Sequence, residues 1–248
     1  MKTHLQELEE IDFVKGRLKE VLSSEGCIKK ALDLFGDGAA VSCSFGRDST
    51  VVLHQAIQIE PRIKVIFCNT GIEHRETLEL KDLLSKEWDL NLIETKPVKD
   101  FWECIREYGL PLSRTEKGSS GKPKCCWYLK ELPFLQACKE HGIRANLTGL
   151  KIVDSRYRKY TILQRGQYYF RKTRGEIWQF HPIAFWSNED ILRYYKERSL
   201  RVPIKSGCLP CTAYQGWRKH LEVEHPRMFE IITELYSREG RGRVNNVC

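Results

Sequence analysis

Residues 40–56, AVSCSFGRDSTVVLHQA, run from a short apolar strand into small and polar residues and then into a helix. Ser44, Phe45, Gly46, Arg47, Asp48 and Ser49 occupy the junction. In an open α/β sheet, ligands bind beyond the carboxyl ends of strands. A helix beginning near Asp48 or Ser49 offers unpaired backbone N–H groups and the positive end of its dipole. Small residues let backbone approach a phosphate closely, the hydroxyls of Ser44 and Ser49 can donate to it, and Arg47 adds charge. The same residue types suit an ordinary strand-to-helix turn, so the stretch alone leaves both readings open.

The chain on either side extends the pattern. Residues 5–35 read as one or two amphipathic helices. Short apolar runs at 39–45 and 64–68 (KVIFC) have the character of buried parallel strands. LNLIET (90–95) and RANLTG (144–149) are two further strands, with helices expected near 73–88, 99–108 and 128–141. Strands alternating with helices imply right-handed crossovers and a doubly wound, mostly parallel α/β sheet. Beyond Gly149, YYFRKTRGEIWQFHPI (168–183) alternates like an edge ribbon, and Ser187 with Asp190 opens a helix in the manner of a capping box. GSSGK (118–122) reads as a flexible loop. The expected organisation is N-terminal helices over 1–36, a nucleotide-binding α/β domain over 37–205, and a small helical extension over 206–248.

Composition sets the class. The chain has 248 residues, 41% of them hydrophobic, with a formal net charge of +8. A basic balance favours anionic ligands, nucleotides or nucleic acid. Arg156, Arg158, Lys159, Arg165, Arg171, Lys172 and Arg174 concentrate that charge, and Tyr157, Tyr160, Tyr168, Tyr169 and Phe170 are interleaved with them. Such a run can bind nucleic acid by charge and stacking, or clamp a small anion beside a solvated ribbon. No apolar run approaches the ~20 residues that span a bilayer, and the charged N-terminal stretch is unlike a secretory signal. The expected location is the cytoplasm, with no membrane partner; a homo-oligomer is compatible with the sequence.

The ten cysteines divide into two kinds. Cys27, Cys43, Cys68, Cys104 and Cys138 are scattered through apolar or helical stretches and read as buried thiols. Cys125 with Cys126, and Cys208 with Cys211, form two clusters. Four thiolates could hold structural zinc or an iron–sulfur cluster. Zinc sites usually pair two C-x-x-C knuckles, whereas adjacent cysteines diverge and suit the separate corners of a cubane.

The loop SFGRDS resembles the PP-loop of ATP pyrophosphatases, S-G-G-x-D-S, and its Ser-Phe-Gly is similar to that of the adenylylsulfate and phosphoadenylylsulfate reductases. VIFCNTGIEHRET (65–77) is similar to their V-x-x-x-D-T-G-x-x-x-x-E-T, with Thr70 and Gly71 matching and Asn69 in place of Asp. CCWYLKELPF (125–134) resembles C-C-x-x-x-K-x-x-P-L. LTGLKIVDSRYR (147–158) resembles T-G-x-R-x-x-x-S-x-x-R, with Gly149 and Arg158 matching and Lys151 standing for Arg. HPIAFWSNEDILRYY (181–195) and GCLPCT (207–212) complete the order.

The resemblance implies the adenine nucleotide alpha-hydrolase-like fold and an oxidoreductase of sulfur metabolism. It implies that Ser44, Phe45, Gly46, Arg47, Asp48, Ser49, Thr70, Gly71, Gly149, Lys151 and Arg158 bind the adenine nucleotide. It further implies a [4Fe–4S] cluster on Cys125, Cys126, Cys208 and Cys211. In the family, a cysteine thiolate attacks the sulfur of adenylylsulfate or phosphoadenylylsulfate and releases AMP or adenosine bisphosphate; a thiol carrier such as thioredoxin then frees sulfite. The family's nucleophile sits in a C-terminal E-C-G-L-H tail, and Cys248 is the cysteine of this chain that follows the CxxC. Two alternatives share the PP-loop. One is an ATP-dependent sulfur-insertion enzyme, using ATP with Mg and acting on tRNA or DNA. The other is a non-catalytic nucleotide and cluster sensor.

Overall fold

The computed structural model describes residues 2–111, 123–173, 175–203, 206–213 and 216–238. Cys248, Arg174 and the 118–122 loop lie outside the described residues. The chain divides into two units interleaved along the sequence. The first comprises 1–67, 74–95 and 134–207, and the second 68–73, 96–133 and 208–248.

The first unit is built on a sheet of six strands among the described residues. These are β1 (Ala39–Ser42), β2 (Lys64–Cys68), β3 (Asn91–Thr95), β4 (Ala145–Leu147), β5 (Tyr168–Arg171) and β6 (Ile177–Phe180). Their order is β3-β2-β1-β4-β6-β5. β1 pairs in parallel with β2 and β4, and β4 with β6; β5 runs antiparallel at the edge, as the alternation in 168–183 anticipates. The central strands are short and apolar because helices cover the sheet: Ala39, Ala40, Val41, Val65, Ala145 and Leu147 are all buried.

Helix α1 (His4–Lys15) and α2 (Ser24–Phe35) begin at the side-chain caps Thr3 and Ser23. α3 (Arg47–Ile59) follows β1, α4 (Arg75–Glu87) follows β2, and α5 (Phe101–Tyr108) follows β3. α6 (Lys124–Cys126) runs through a π turn, Trp127–Glu131, into α7 (Leu132–Glu140). α8 (Arg156–Arg165) and α9 (Asn188–Glu197) flank the β5–β6 hairpin in sequence. The α9 capping box forms: Ser187 Oγ accepts from Asp190 N, and Asp190 accepts from Ser187 N. Val51, Val52, Leu53 and Ala56 of α3 are fully buried in the core of this unit with Ile28, Ala31, Phe67 and Phe180.

The sheet has a topological switch point. From β1 the chain crosses to β2 on one side, while β4 lies on the other. The loops leaving the carboxyl ends of β1 and β4 therefore stand at the position where α/β sheets bind ligands.

The second unit packs Phe101, Ile105, Leu110 and Leu129 with Trp217, Leu221, Ile232 and Tyr236. The last four come from α10 (Trp217–Glu224) and α11 (Pro226–Arg238). His225 links these two helices and Pro226 starts the second, a position where its missing N–H costs nothing. Trp217 and Tyr236 meet at 5.7 Å between ring centres, which closes the pair as a hairpin. Among the described residues, no helix is long and apolar enough to cross a membrane.

Candidate functional site

In the first unit, the backbone shapes the loop after β1. Phe45 adopts φ 52, a left-handed conformation unusual for an aromatic residue. Its ring is fully buried and meets Phe67 edge-on at 5.4 Å, so packing offsets the strain. The Phe45 N–H donates to Cys43 Sγ, and burial pushes that thiol up to about 11, so Cys43 serves as an inert floor. Gly46 is the N-cap of α3 and offers no side chain to the first turn. Its N–H groups are thus left for an incoming acceptor. Ser49 Oγ accepts from Ser44 N at 3.3 Å, donates to Gly46 O at 3.1 Å, and lies 3.3 Å from Ser44 Oγ. These contacts tie the loop to the first turn of α3.

The loop after β4 closes on the same turn. A Cβ on Gly149 would lie 2.7 Å from Ser49 N and 2.8 Å from the Asp48 carbonyl carbon, so only glycine permits this approach. Two residues on, Lys151 is fully buried. Its Nζ lies 3.2 Å from Asp48, 3.6 Å from Asp154 and 2.8 Å from Asn188 Oδ1. Arg158 pairs with Asp154 at the start of α8. Burial raises the Asp154 carboxyl above its ordinary value, opposed by Lys151 and Arg158. Ser44, Phe45, Gly46, Arg47, Asp48, Ser49, Gly149, Lys151 and Arg158 all belong to this unit.

The second unit gathers the thiols. Cys125 and Cys126 end α6, and Cys208 and Cys211 lie in an irregular segment in which Cys211 N donates to Cys208 O. None is in a disulfide. The Cys126 thiol, burial, and the charges of Cys126, Cys211 and Cys208 push Cys125 far up. Burial also raises Cys208 and Cys211. Lys130 is held above its ordinary value by the charges of Cys208, Glu73 and Cys126, against the opposing effect of burial. Thr70 and Gly71 fall beside these thiols. Thr70 Oγ1 lies 3.6 Å from Cys208 Sγ and donates to Glu73 at 2.8 Å. Glu73 bridges Cys208 in antiparallel fashion, and Leu209 N donates to Ile72 O. Asn69 closes a local turn by accepting from Gly71 N, with Gly71 at φ 74.

A model of the phosphoadenosine phosphosulfate reductase domain matches residues 38–205. The chain belongs to this reductase-domain family. It is 30% identical over 229 residues to an adenosine 5'-phosphosulfate reductase of Streptomyces coelicolor, covering 90% of this chain and 89% of the relative. It is 33% identical over 183 residues to a phosphoadenosine 5'-phosphosulfate reductase of Xylella fastidiosa, covering 73% and 72%. The solved phosphoadenylyl-sulfate reductase of Candida auris, in a phosphate complex, shares the fold. Its TM-score is 0.58 at 19% identity, over 84% of this chain and 96% of that one.

In this reductase-domain chain, several contacts at the loop escape sequence reading. Glu7 of α1 and Asn188 of α9 reach the cations Arg47 and Lys151 through a hydrogen-bonded chain. Tyr195 donates to the Arg47 carbonyl at 2.8 Å. His181, at the end of β6, shares a 2.7 Å hydrogen bond with Thr148, and burial drives it down to about 3, so the ring is neutral. The aromatic-rich HPIAFWSNEDILRYY segment marks the neighbourhood of these residues, but no spacing rule marks Glu7.

Proposed function

We propose that this protein is a sulfonucleotide reductase that binds adenosine 5'-phosphosulfate, or its 3'-phosphorylated form, at the loop 44–49 and releases sulfite with AMP or adenosine bisphosphate. The observation that carries the reading is the meeting of two loops at the switch point. Backbone is packed against backbone at Gly149, beside an uncapped helix start with Arg47 and Lys151 on its flank. That arrangement suits a nucleotide phosphate, and a relative matched over 90% of this chain carries the reductase name.

The chain's residues divide the work. Ser44, Gly46 and Ser49 present hydroxyl and N–H donors to the phosphate, and Arg47, Lys151 and Arg158 supply positive charge. The Cys248 thiolate attacks the sulfate sulfur; the bond from that sulfur to the phosphate oxygen breaks, and its electron pair leaves with the nucleotide. An S-sulfocysteine remains. A dithiol carrier of the thioredoxin type attacks the cysteine sulfur, expels sulfite, and leaves as its disulfide, so the carrier supplies both electrons.

The donor set of the second unit fits a [4Fe–4S] cluster. The thiols of Cys125, Cys208 and Cys211 are raised by burial and by neighbouring thiols, Cys126 among them, and a bound metal would relieve that by stabilising the thiolates. A bound cluster would supply a fixed charged centre, and Lys130 interacts with two of the cysteines that would hold it, Cys208 and Cys126.

The test is turnover of anaerobically purified protein with a dithiol carrier and, in turn, adenosine 5'-phosphosulfate, its 3'-phosphorylated form, or ATP. Sulfite and nucleoside monophosphate or bisphosphate are expected from one sulfonucleotide, with sulfite production lost in Cys248→Ser. Pyrophosphate from ATP without sulfite from either sulfonucleotide overturns the reading in favour of sulfur insertion.

A further inference from the structure

Glu7 is an acidic residue with only 5% of its surface exposed, on a helix that precedes the family-matched region 38–205. A buried carboxylate needs strong partners. Its partners are both on Asn188: the backbone N–H donates to Oε2 at 2.8 Å, and Nδ2 donates to Oε1. A carboxylate only accepts, so the amide NH2 of Asn188 must face Glu7 and Oδ1 must face the other way. There, Oδ1 accepts from Arg47 Nη2 at 2.9 Å and from Lys151 Nζ at 2.8 Å. One amide thus joins three elements: α1, the loop after β1 and the loop after β4.

We propose that Glu7 and Asn188 are a positioning pair that holds Arg47 and Lys151 in place for an anionic ligand without bringing a further carboxylate against them, beside the Asp48 that both cations already meet. The inference rests on the nucleotide reading of the 44–49 loop. Asp48 lies 3.6 Å from Arg47 and 3.2 Å from Lys151, and Asp154 lies 3.6 Å from Lys151, so a carboxylate in the place of Asn188 would hold both cations but add one more negative charge where the ligand phosphate needs a net positive one. The neutral amide transmits orientation without that added charge. It also means that α1, outside the matched domain, completes the binding site.

The experiment compares four proteins by two readouts: affinity for adenosine 5'-monophosphate by titration calorimetry, and hydrogen exchange of residues 43–50 without nucleotide. In Glu7→Gln, the side-chain oxygen can accept only one of the two converging donors, and the Asn188 amide is free to turn. Loss of a charge-assisted hydrogen bond of this kind predicts affinity reduced roughly tenfold, together with faster exchange in the loop. The double variant Glu7→Gln/Asn188→Asp reverses the pair while keeping the same net charge and the same number of hydrogen bonds. It is expected to return loop exchange to the wild-type rate while affinity stays at least about tenfold low. Val14→Ala, which loosens the buried face of α1 two turns away, is expected to lower Tm without changing either readout.

Unchanged exchange and affinity in Glu7→Gln overturn the proposal, as does a Val14→Ala variant that reproduces both effects. Full recovery of affinity in the double variant overturns the argument from charge. If the wild-type protein binds no adenine nucleotide, the functional reading fails, and the exchange data still decide whether the pair positions the loop.

Discussion

The two units build their sites from different materials. At the switch point of the first unit, the site is mostly backbone: a left-handed Phe45, an uncapped helix start, and Gly149 pressed against Ser49. Strand pairing and a buried core fix those atoms with no ligand needed. In the second unit the site is mostly side chain, with thiols drawn from α6 and from the segment around Cys208, and with Thr70 and Glu73 from a third segment. Few regular elements hold those segments, and neighbouring thiols and burial raise the pKa of Cys125, Cys208 and Cys211. A preformed backbone site should fail through steric change. A thiol site should fail through loss of its ligand.

The largest expected effect therefore lies in the second unit. Cys208→Ser or Cys125→Ser removes one of four donors, and metal binding in such sites is coupled to folding by on the order of 10 kcal/mol. Anaerobically prepared wild-type protein is expected to carry about four irons and four sulfides per chain, as a cubane requires, and either variant to carry essentially none. Iron and acid-labile sulfide analysis reads this directly. Stoichiometric zinc with no sulfide in the wild type would falsify the cluster while leaving the four-thiol site standing.

A smaller, sharper effect is expected at the switch point. A methyl on Gly149 meets backbone of α3 at 2.7 Å, and no side-chain rotation relieves it. A methyl on Gly46 comes closer, 2.3 Å, to Ser206 Oγ, which can swing away, and 2.9 Å to Ser206 Cβ, which yields only if its own backbone shifts, whereas Gly149 meets three backbone atoms of Asp48 and Ser49. Gly149→Ala is expected to cost about 1–3 kcal/mol, as overpacked sites do, and to weaken AMP binding by more than tenfold. Gly46→Ala is expected to cost less than Gly149→Ala despite the shorter contact. Denaturant unfolding and calorimetry measure both; the reverse ranking would show that distance alone, not the nature of the atom met, governs the loop.

The contrast also explains what could be read from the chain. KVIFC becomes β2 at the residues expected, 64–68, because a buried parallel strand is a continuous apolar run. The α9 cap was legible because Ser187 and Asp190 stand at a fixed local spacing. Phe45 carries the ring that meets Phe67, yet its left-handed φ has no local signature, since the compensation comes from a strand 22 positions away. Glu7 was illegible for a similar reason. Helical periodicity places it with Ile11 and Val14 on a buried face but does not say that its partner is Asn188. Thr70 and Gly71 show the limit of motif reading, because a motif names residues without naming the unit they join. The structure groups these two with Cys208.

The smallest effect is a pH dependence confined to the first unit. His181 is buried, its Nδ1 bonded to Thr148, and its pKa falls to about 3 through burial, with Arg158 lowering it further. An unfolded histidine titrates near ~6.5. Between those values the unfolded chain binds a proton that the folded chain refuses, so stability falls as pH drops through that window and is fully present above it. At pH 5, roughly one and a half units below the unfolded pKa, this single group should cost about 2 kcal/mol relative to pH 7. His181→Gln keeps a polar side chain opposite Thr148 but cannot take up the proton. The stability advantage of wild type over His181→Gln should therefore shrink by about 2 kcal/mol between pH 7 and pH 5, because carboxylates elsewhere titrate alike in both proteins. Denaturant melts at the two pH values measure it. Parallel pH profiles for the two proteins would mean that His181 is charged in the fold, and that the Thr148 end of the β4 loop is more open to water than its burial indicates.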